Sequence, residues 1–182
     1  MNKKIVVAIT GASGVVYGIR LVEELSKSRD VYVVVSNAAK KVFQYEYPEG
    51  LRKIKNIKIY SENDIDAPIA SSSFCVDAMV ICPCSMNTLA AISIGLSDNL
   101  IRRVADIMIK EGKKLILVLR EMPFSQVHLE NMLKLSKLGV VIMPACPGFY
   151  HKPKKIEDMI NFVIGKILDR LAIKNNLYKR WK

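Results

Sequence analysis

Apolar residues fall into five short runs separated by stretches of helical periodicity. The run IVVAIT (5–10) is rich in β-branched residues and lacks apolar–polar alternation, so it predicts a strand buried on both faces. VYVVVS (31–36), AMVICP (78–83), KLILVLR (114–120) and VVIMPA (140–145) predict four more strands. After the first run, Ile19, Val22 and Leu25 fall on one helical stripe, with Arg20, Glu23 and Glu24 outward. A second helix is predicted from Asn37 to Tyr45, with a Lys-rich loop after it, and a third from Asn99 to Lys110. Pro123 precedes a fourth, whose apolar positions are Val127, Met132, Leu135 and Leu138 and which Gly139 ends; IEDMINFVIGKILDRL (156–171) closes the set.

Strands alternating with helices predict a doubly wound α/β fold: a Rossmann-like or flavodoxin-like parallel sheet with helices on both faces. Ligands of such sheets bind outside the carboxyl ends of the strands. That rule nominates the loops Gly11–Gly14, Ser36–Asn37, Pro83–Thr88, Arg120–Pro123 and Pro144–Tyr150. No linker, repeat or low-complexity tract divides residues 1–182, which suits a single domain ending in a tail, 172–182. Gly11 interrupts the first apolar run before it reaches membrane-span length, and a cytoplasmic protein is predicted.

Composition adds a charge to explain. The chain carries 28 Lys and Arg against 17 Asp and Glu, a formal +11, with nine cations and three anions in residues 150–182. Such a surplus suits an anionic partner, whether nucleic acid, an acidic membrane surface or a phosphorylated small molecule, and equally a solvated basic surface. Aromatics are 7% and no aromatic–basic RNA motif occurs, which argues against a nucleic-acid-binding module. Cys75, Cys82, Cys84 and Cys146 include no Cys-x-x-Cys pair and are read as reduced core thiols rather than metal ligands.

The candidate chemistry lies in the loops. Thr10-Gly11-Ala12-Ser13-Gly14 lets a ligand approach the backbone at a helix N-terminus, although a tight turn needs the same small residues. Neither Gly-x-Gly-x-x-Gly nor Gly-Lys-Ser/Thr is present. Ser85-Met86-Asn87-Thr88 offers hydroxyls and an amide for a phosphate or a polar ring edge, and a helix N-cap uses the same residues. Ser36 ends the second run in the same way. Arg103 and Lys110 share a helix face about 10.5 Å apart, with Arg102 expected to point away into solvent. Arg120 and Glu121 form a charged pair on the ligand edge. Tyr150 and Lys154 have dehydrogenase spacing, but Pro153 between them breaks a common helix face. His128 and His151 are the only histidines, and neither adjoins a nucleophile turn. Hydroxyls, amides and cations without a strong acid–base motif suit a protein that positions a cofactor doing the chemistry.

Taken together, TGASGVVYGIRL, VSNAAKKVFQYE, CPCSMNTLAAISIGLSDNLIRRVAD, LREMPFSQVHLENM and PACPGFYHKP resemble the UbiX-type flavin prenyltransferases, in order from residue 4 to 173. The resemblance implies an enzyme that joins a dimethylallyl group, from dimethylallyl phosphate, to N5 and C6 of reduced FMN without a metal. The prenylated FMN would pass to a UbiD-type decarboxylase. It further implies that Gly11, Ala12, Ser13, Ser36, Ser85, Met86, Asn87, Thr88 and Arg120 bind the flavin, with Ser13 close to the reacting ring. Arg103, Lys110, Arg120, Tyr150 and Lys166 would hold the prenyl phosphate, with Glu46 and Glu121 as the nearby carboxylates. Lys166 stands where the family usually has Arg, keeping the charge but losing the two-pronged fork. Family members form large homo-oligomers, commonly dodecamers, so Glu46 is expected to reach a neighbour's site and Trp181 a neighbouring site or interface. The competing reading is an FMN-dependent cysteine-type decarboxylase, which relies on a His near the second strand; residues 31–70 contain none.

Overall fold

The structure, a computed structural model, describes residues 2–181. The chain alternates strand and helix: β1 (Lys4–Ile9), α1 (Val15–Ser26), β2 (Asp30–Val35), α2 (Asn37–Glu46), β3 (Ile57–Ser61), β4 (Ala78–Cys84) and α3 (Met86–Ser93). There follow α4 (Leu100–Lys110), β5 (Lys114–Leu119), α5 (Gln126–Lys137), β6 (Val141–Ile142) and α6 (Ile156–Arg170). All strands pair in parallel, in the order β3-β2-β1-β4-β5-β6. That is the dinucleotide-binding order of a doubly wound sheet rather than the 2-1-3-4-5 order of flavodoxin.

Six strands form where the apolar runs predicted five. The extra one, β3, lies inside the predicted Lys-rich loop: it is an edge strand whose Lys58 and Ile59 face solvent, so it lacks a continuous apolar run. Conversely, the regular ladder of the run 140–145 covers only Val141 and Ile142, although Met143 and Ala145 go on exchanging backbone hydrogen bonds with Leu117 and Leu119 of β5. Every residue of β4 is buried, as a strand covered on both faces requires.

One core packs α1, α2 and α6 on one face of the sheet, and a second packs α3, α4 and α5 on the other. Ile19, Val22 and Leu25 are buried in the first. On α5 the predicted stripe holds only in part: Leu135 is buried and Met132 half-buried, whereas Val127 and Leu138 are exposed. The thiols divide too. Cys82 and Cys84 are buried, and burial pushes both up into the inert range, but Cys75 and Cys146 are exposed, contrary to the core reading.

Gly18 sets how closely α1 lies on the sheet, because a Cβ there would run into the Cys82 carbonyl and the Ile9 side chain. Gly18→Ala should therefore lift α1 and destabilise the fold by about 1–3 kcal/mol. Urea unfolding tests this, and an unchanged midpoint would show that the contact is slack.

Candidate functional site

The strand order reverses between β1 and β4, and there the crossovers leave a crevice at the carboxyl edge of the sheet. Thr10, the residue after β1, bridges the divide: its hydroxyl donates to the Pro83 carbonyl at 2.8 Å and accepts from the Ser85 amide at 2.8 Å. Three helices begin on this crevice. Ser36 caps α2, accepting from the Ala39 amide; Ser85 caps α3, accepting from the Thr88 amide; Asn99 caps α4, accepting from the Arg102 amide. N-termini carry unpaired N–H groups and the positive ends of helix dipoles, so their convergence makes an anion site.

The resulting cavity, about 360 Å³, is lined by Thr10, Gly11, Ser36, Ala38, Glu62, Ser85, Asn87, Thr88, Asn99, Ile101 and Arg102. A Cβ on Gly11 would collide with Ala38, so the turn must be bare there for α2 to approach. Glu62, which follows β3, braces the walls: its carboxylate accepts from the Asn37 amide at 2.6 Å and the Asn99 side-chain amide at 3.1 Å, while its carbonyl accepts from Leu100 N. Glu62 escaped the sequence reading because β3 did; the Ile57-Lys58-Ile59-Tyr60 pattern before it was the available signal. Arg102 is corrected as well. Its side chain is only 13% exposed, lines the cavity and takes both oxygens of Asp98.

Ser13, Glu46 and Arg120 gather on the far side of the Gly11–Gly14 turn. Gly14 sits at φ 95°, a left-handed conformation suited to glycine, and caps α1 without a side chain. Glu46, from the end of α2, supplies the missing acceptor: one carboxylate oxygen takes the Gly14 amide at 2.8 Å and the Val15 amide at 3.2 Å. Glu46 thus serves its own chain's turn, where the resemblance implied reach toward a neighbour. Burial pushes its carboxyl up, but the Ser13 hydroxyl, these two amides and the Arg120 charge outweigh that, and its pKa falls below the ordinary range. Arg120 passes beside Gly14, and its Nε is buried with no hydrogen-bond partner. Glu121 is exposed, its carboxylate turned back to the Met122 amide.

The remaining candidate cations do not join this cluster within one chain. Arg103 donates to the Ala70 carbonyl and pairs with Asp106, outside the cavity lining. Lys110 is exposed on the last turn of α4, about 15 Å along the axis from the end that opens on the crevice. Lys166 lies near the amino-edge end of α6, whose Arg170 carbonyl meets Lys114 at the start of β5. Its ammonium sits over the Phe162 and Tyr178 rings at 5.5 and 5.0 Å. Tyr150, in the segment before α6, packs edge-on against the same Phe162. Lys154 donates its amide to Asp158 ahead of α6, so Tyr150 and Lys154 share no helix face. His128 completes the Ser125 capping box of α5. Among the described residues, no cluster of three or more His, Cys, Asp or Glu suits a metal ion, and no helix is long and apolar enough to cross a membrane.

Comparison with known proteins bears on this geometry. A family model described as Flavoprotein matches residues 1–168. Flavin prenyltransferase UbiX of Methanocaldococcus jannaschii is 52% identical over 180 residues, covering 98% of both chains. The crystal structure of AnUbiX (PadA1) in complex with FMN and dimethylallyl pyrophosphate superposes with a TM-score of 0.96 at 40% identity, covering 100% of this chain and 98% of that one. A dodecameric FMN-dependent UbiX-like decarboxylase from Escherichia coli O157:H7 gives a TM-score of 0.93 at 38% identity, covering 98% of this chain and 99% of its own.

The Glu46 anchor has a pH signature. A carboxylate with a depressed folded pKa stabilises fully above its ordinary value, here 4.5, and loses that contribution as pH falls through the lower folded value. Glu46→Gln should melt below wild type at neutral pH, with the gap narrowing as pH falls below 4.5 and through the lowered folded pKa. Thermal melts across that range test it; a gap of constant size would remove the charged anchor.

Proposed function

Since the chain belongs to the UbiX family of flavin prenyltransferases within the flavoproteins, we propose that its crevice holds FMN and that the enzyme transfers a dimethylallyl group from a prenyl phosphate to the reduced flavin. The observation that carries the reading is the convergence of α2, α3 and α4 on one small-residue cavity, with Arg120 across the Gly11–Gly14 turn. The residues fit the ligand. Three N-termini and the Ser36, Ser85 and Thr88 hydroxyls suit its phosphate, Gly11 leaves backbone open to a flat ring, and the unpaired Arg120 Nε needs an acceptor. Reduced FMN supplies the nucleophilic N5 and C6.

The protein's own contribution is electrostatic and geometric. A departing phosphate gains negative charge, so fixed cations in a dry site lower the barrier without proton transfer. Arg120 lies beside Gly14, close enough for its charge to act on Glu46. Glu46 stays ionised and fixes the Ser13 hydroxyl by accepting from it, while exposed Glu121 is free to move a proton.

We assign Arg103, Lys110, Tyr150 and Lys166 to the phosphate site of neighbouring copies in a homo-oligomer, a reading supported by Lys110 and Lys166 lying toward the helix ends away from their own chain's crevice. Val127, Leu129 and Leu133 on α5, with Leu138 after it, expose apolar surface of the kind that subunit contacts cover. The dodecamer of the Escherichia coli relative is the assembly we assign, with the 172–181 tail at a junction. Four unpaired thiols suit a cytoplasmic enzyme, whose product is handed to a UbiD-type decarboxylase. The cysteine-decarboxylase alternative lacks its histidine, since residues 31–70 contain none.

Flavin incubated with the protein and dimethylallyl phosphate after anaerobic reduction should gain the mass of one dimethylallyl unit; unchanged flavin with both mono- and diphosphate donors would refute the reading. Arg120→Ala should lower kcat/KM by about a hundredfold or more. Subunit mixing tests the shared site: Arg120→Ala and Lys166→Ala proteins, each slow alone, should regain activity when dissociated and reassembled together. No recovery would return Lys166 to its own chain's crevice.

A further inference from the structure

After α6 the chain reverses at Leu171–Ala172 and runs back along the helix, so the tail lies as a strap on α6. One carboxylate fastens it. Asp169 Oδ1 accepts from Arg180 Nη2 at 2.7 Å and Asn175 Nδ2 at 2.9 Å, while Oδ2 accepts from the Tyr178 hydroxyl at 2.6 Å and Arg180 Nη1 at 3.0 Å. The guanidinium fork of Arg180 holds the Asp169 carboxyl down at about 2, against the cost of partial burial, with Tyr178 and Asn175 assisting. The clasp is therefore charged throughout the ordinary pH range. An independent feature serves the same contact: Gly165 lacks the Cβ that would strike the Tyr178 ring, so the ring lies flush on the helix.

The strap ends on two groups already assigned to the donor phosphate. Trp181 meets Tyr150 edge-on at 5.2 Å between ring centres, and Tyr178 forms one of the two aromatic faces under the Lys166 ammonium. Lys is a flexible point charge that needs its direction imposed from outside. We propose that Asp169 is a positioning residue: by clasping Tyr178 and Arg180 it locks the tail onto α6, which orients Lys166 and Tyr150 toward the prenyl phosphate. This rests on the reading that Tyr150 and Lys166 hold that phosphate. The ionisable groups facing the clasp are Arg180, Lys166 and Tyr178, and none of them is a carboxylate competing with Asp169.

Trp181 is the only tryptophan and is held against Tyr150, so the anisotropy of its emission in the assembled, flavin-loaded protein reads tail docking directly. Asp169→Asn should lower the anisotropy and raise the KM for dimethylallyl phosphate about tenfold, with kcat and FMN affinity within about twofold of wild type. Asp169→Glu, which keeps the charge, should recover part of both effects. Arg180→Ala repeats the test on an exposed side chain should Asp169→Asn fail to fold. Unchanged anisotropy in these variants overturns the clasp, and lowered anisotropy with unchanged KM overturns the positioning role. Tyr150→Phe and Lys166→Ala separate the two readings: if they also leave KM unchanged, the donor-site assignment fails, whereas if they alone raise it, the clasp fails.

Discussion

The pairing of β1 with β4 is the constraint on which the site depends. The chain builds outward from β1 through β2 to β3 on one side and from β4 through β5 to β6 on the other, so only at this seam do the following crossovers diverge. The Thr10 hydroxyl spans it, satisfying a carbonyl and an amide of the β4–α3 connection at once. Such a bifunctional group costs little to bury because both its hydrogen-bonding roles are filled. With that seam held, the N-termini of α2 and α3 are bound to face each other across the gap, and Glu62 brings in α4.

Electrostatics then divides the crevice into two sectors. Helix N-termini and hydroxyls dominate beside Ser36 and Ser85, while Glu46 anchors the Gly14 turn under the influence of the Arg120 charge. The overall surplus of +11 has little to do with either. Most of the basic residues are solvated, and several, such as Arg20 with Glu23 and Glu24, are spent on local surface pairs. Position in the fold, not net charge, decides which cations serve an anion.

On the proposed reading, assembly accounts for the other cations. A helix in a doubly wound sheet runs opposite to the strands, so any side chain near its C-terminus sits at the sheet edge away from the ligand. Lys110 and Lys166 are both so placed. A role for them in the same chemistry requires a second copy, and the exposed apolar residues of α5 offer surface for one.

The sequence by itself determined the architecture and much of the site. Continuous β-branched runs can only be satisfied between two covering layers, so the parallel sheet was legible, and with it the loops at its carboxyl edge. Ordered motifs then named Gly11, Ser36, Ser85, Thr88 and Arg120. Tertiary structure alone decided the rest. The edge strand β3, half exposed, carries too little apolar signal to stand out, and the brace Glu62 was hidden with it. Adjacent Arg102 and Arg103 differ by about 100° around a helix, and only packing tells which direction is inward. The clasp on Asp169 joins residues up to eleven apart through a chain reversal that has no periodicity to read. Local patterns record what a segment must bury, whereas which groups meet across a gap depends on how separate segments are brought together.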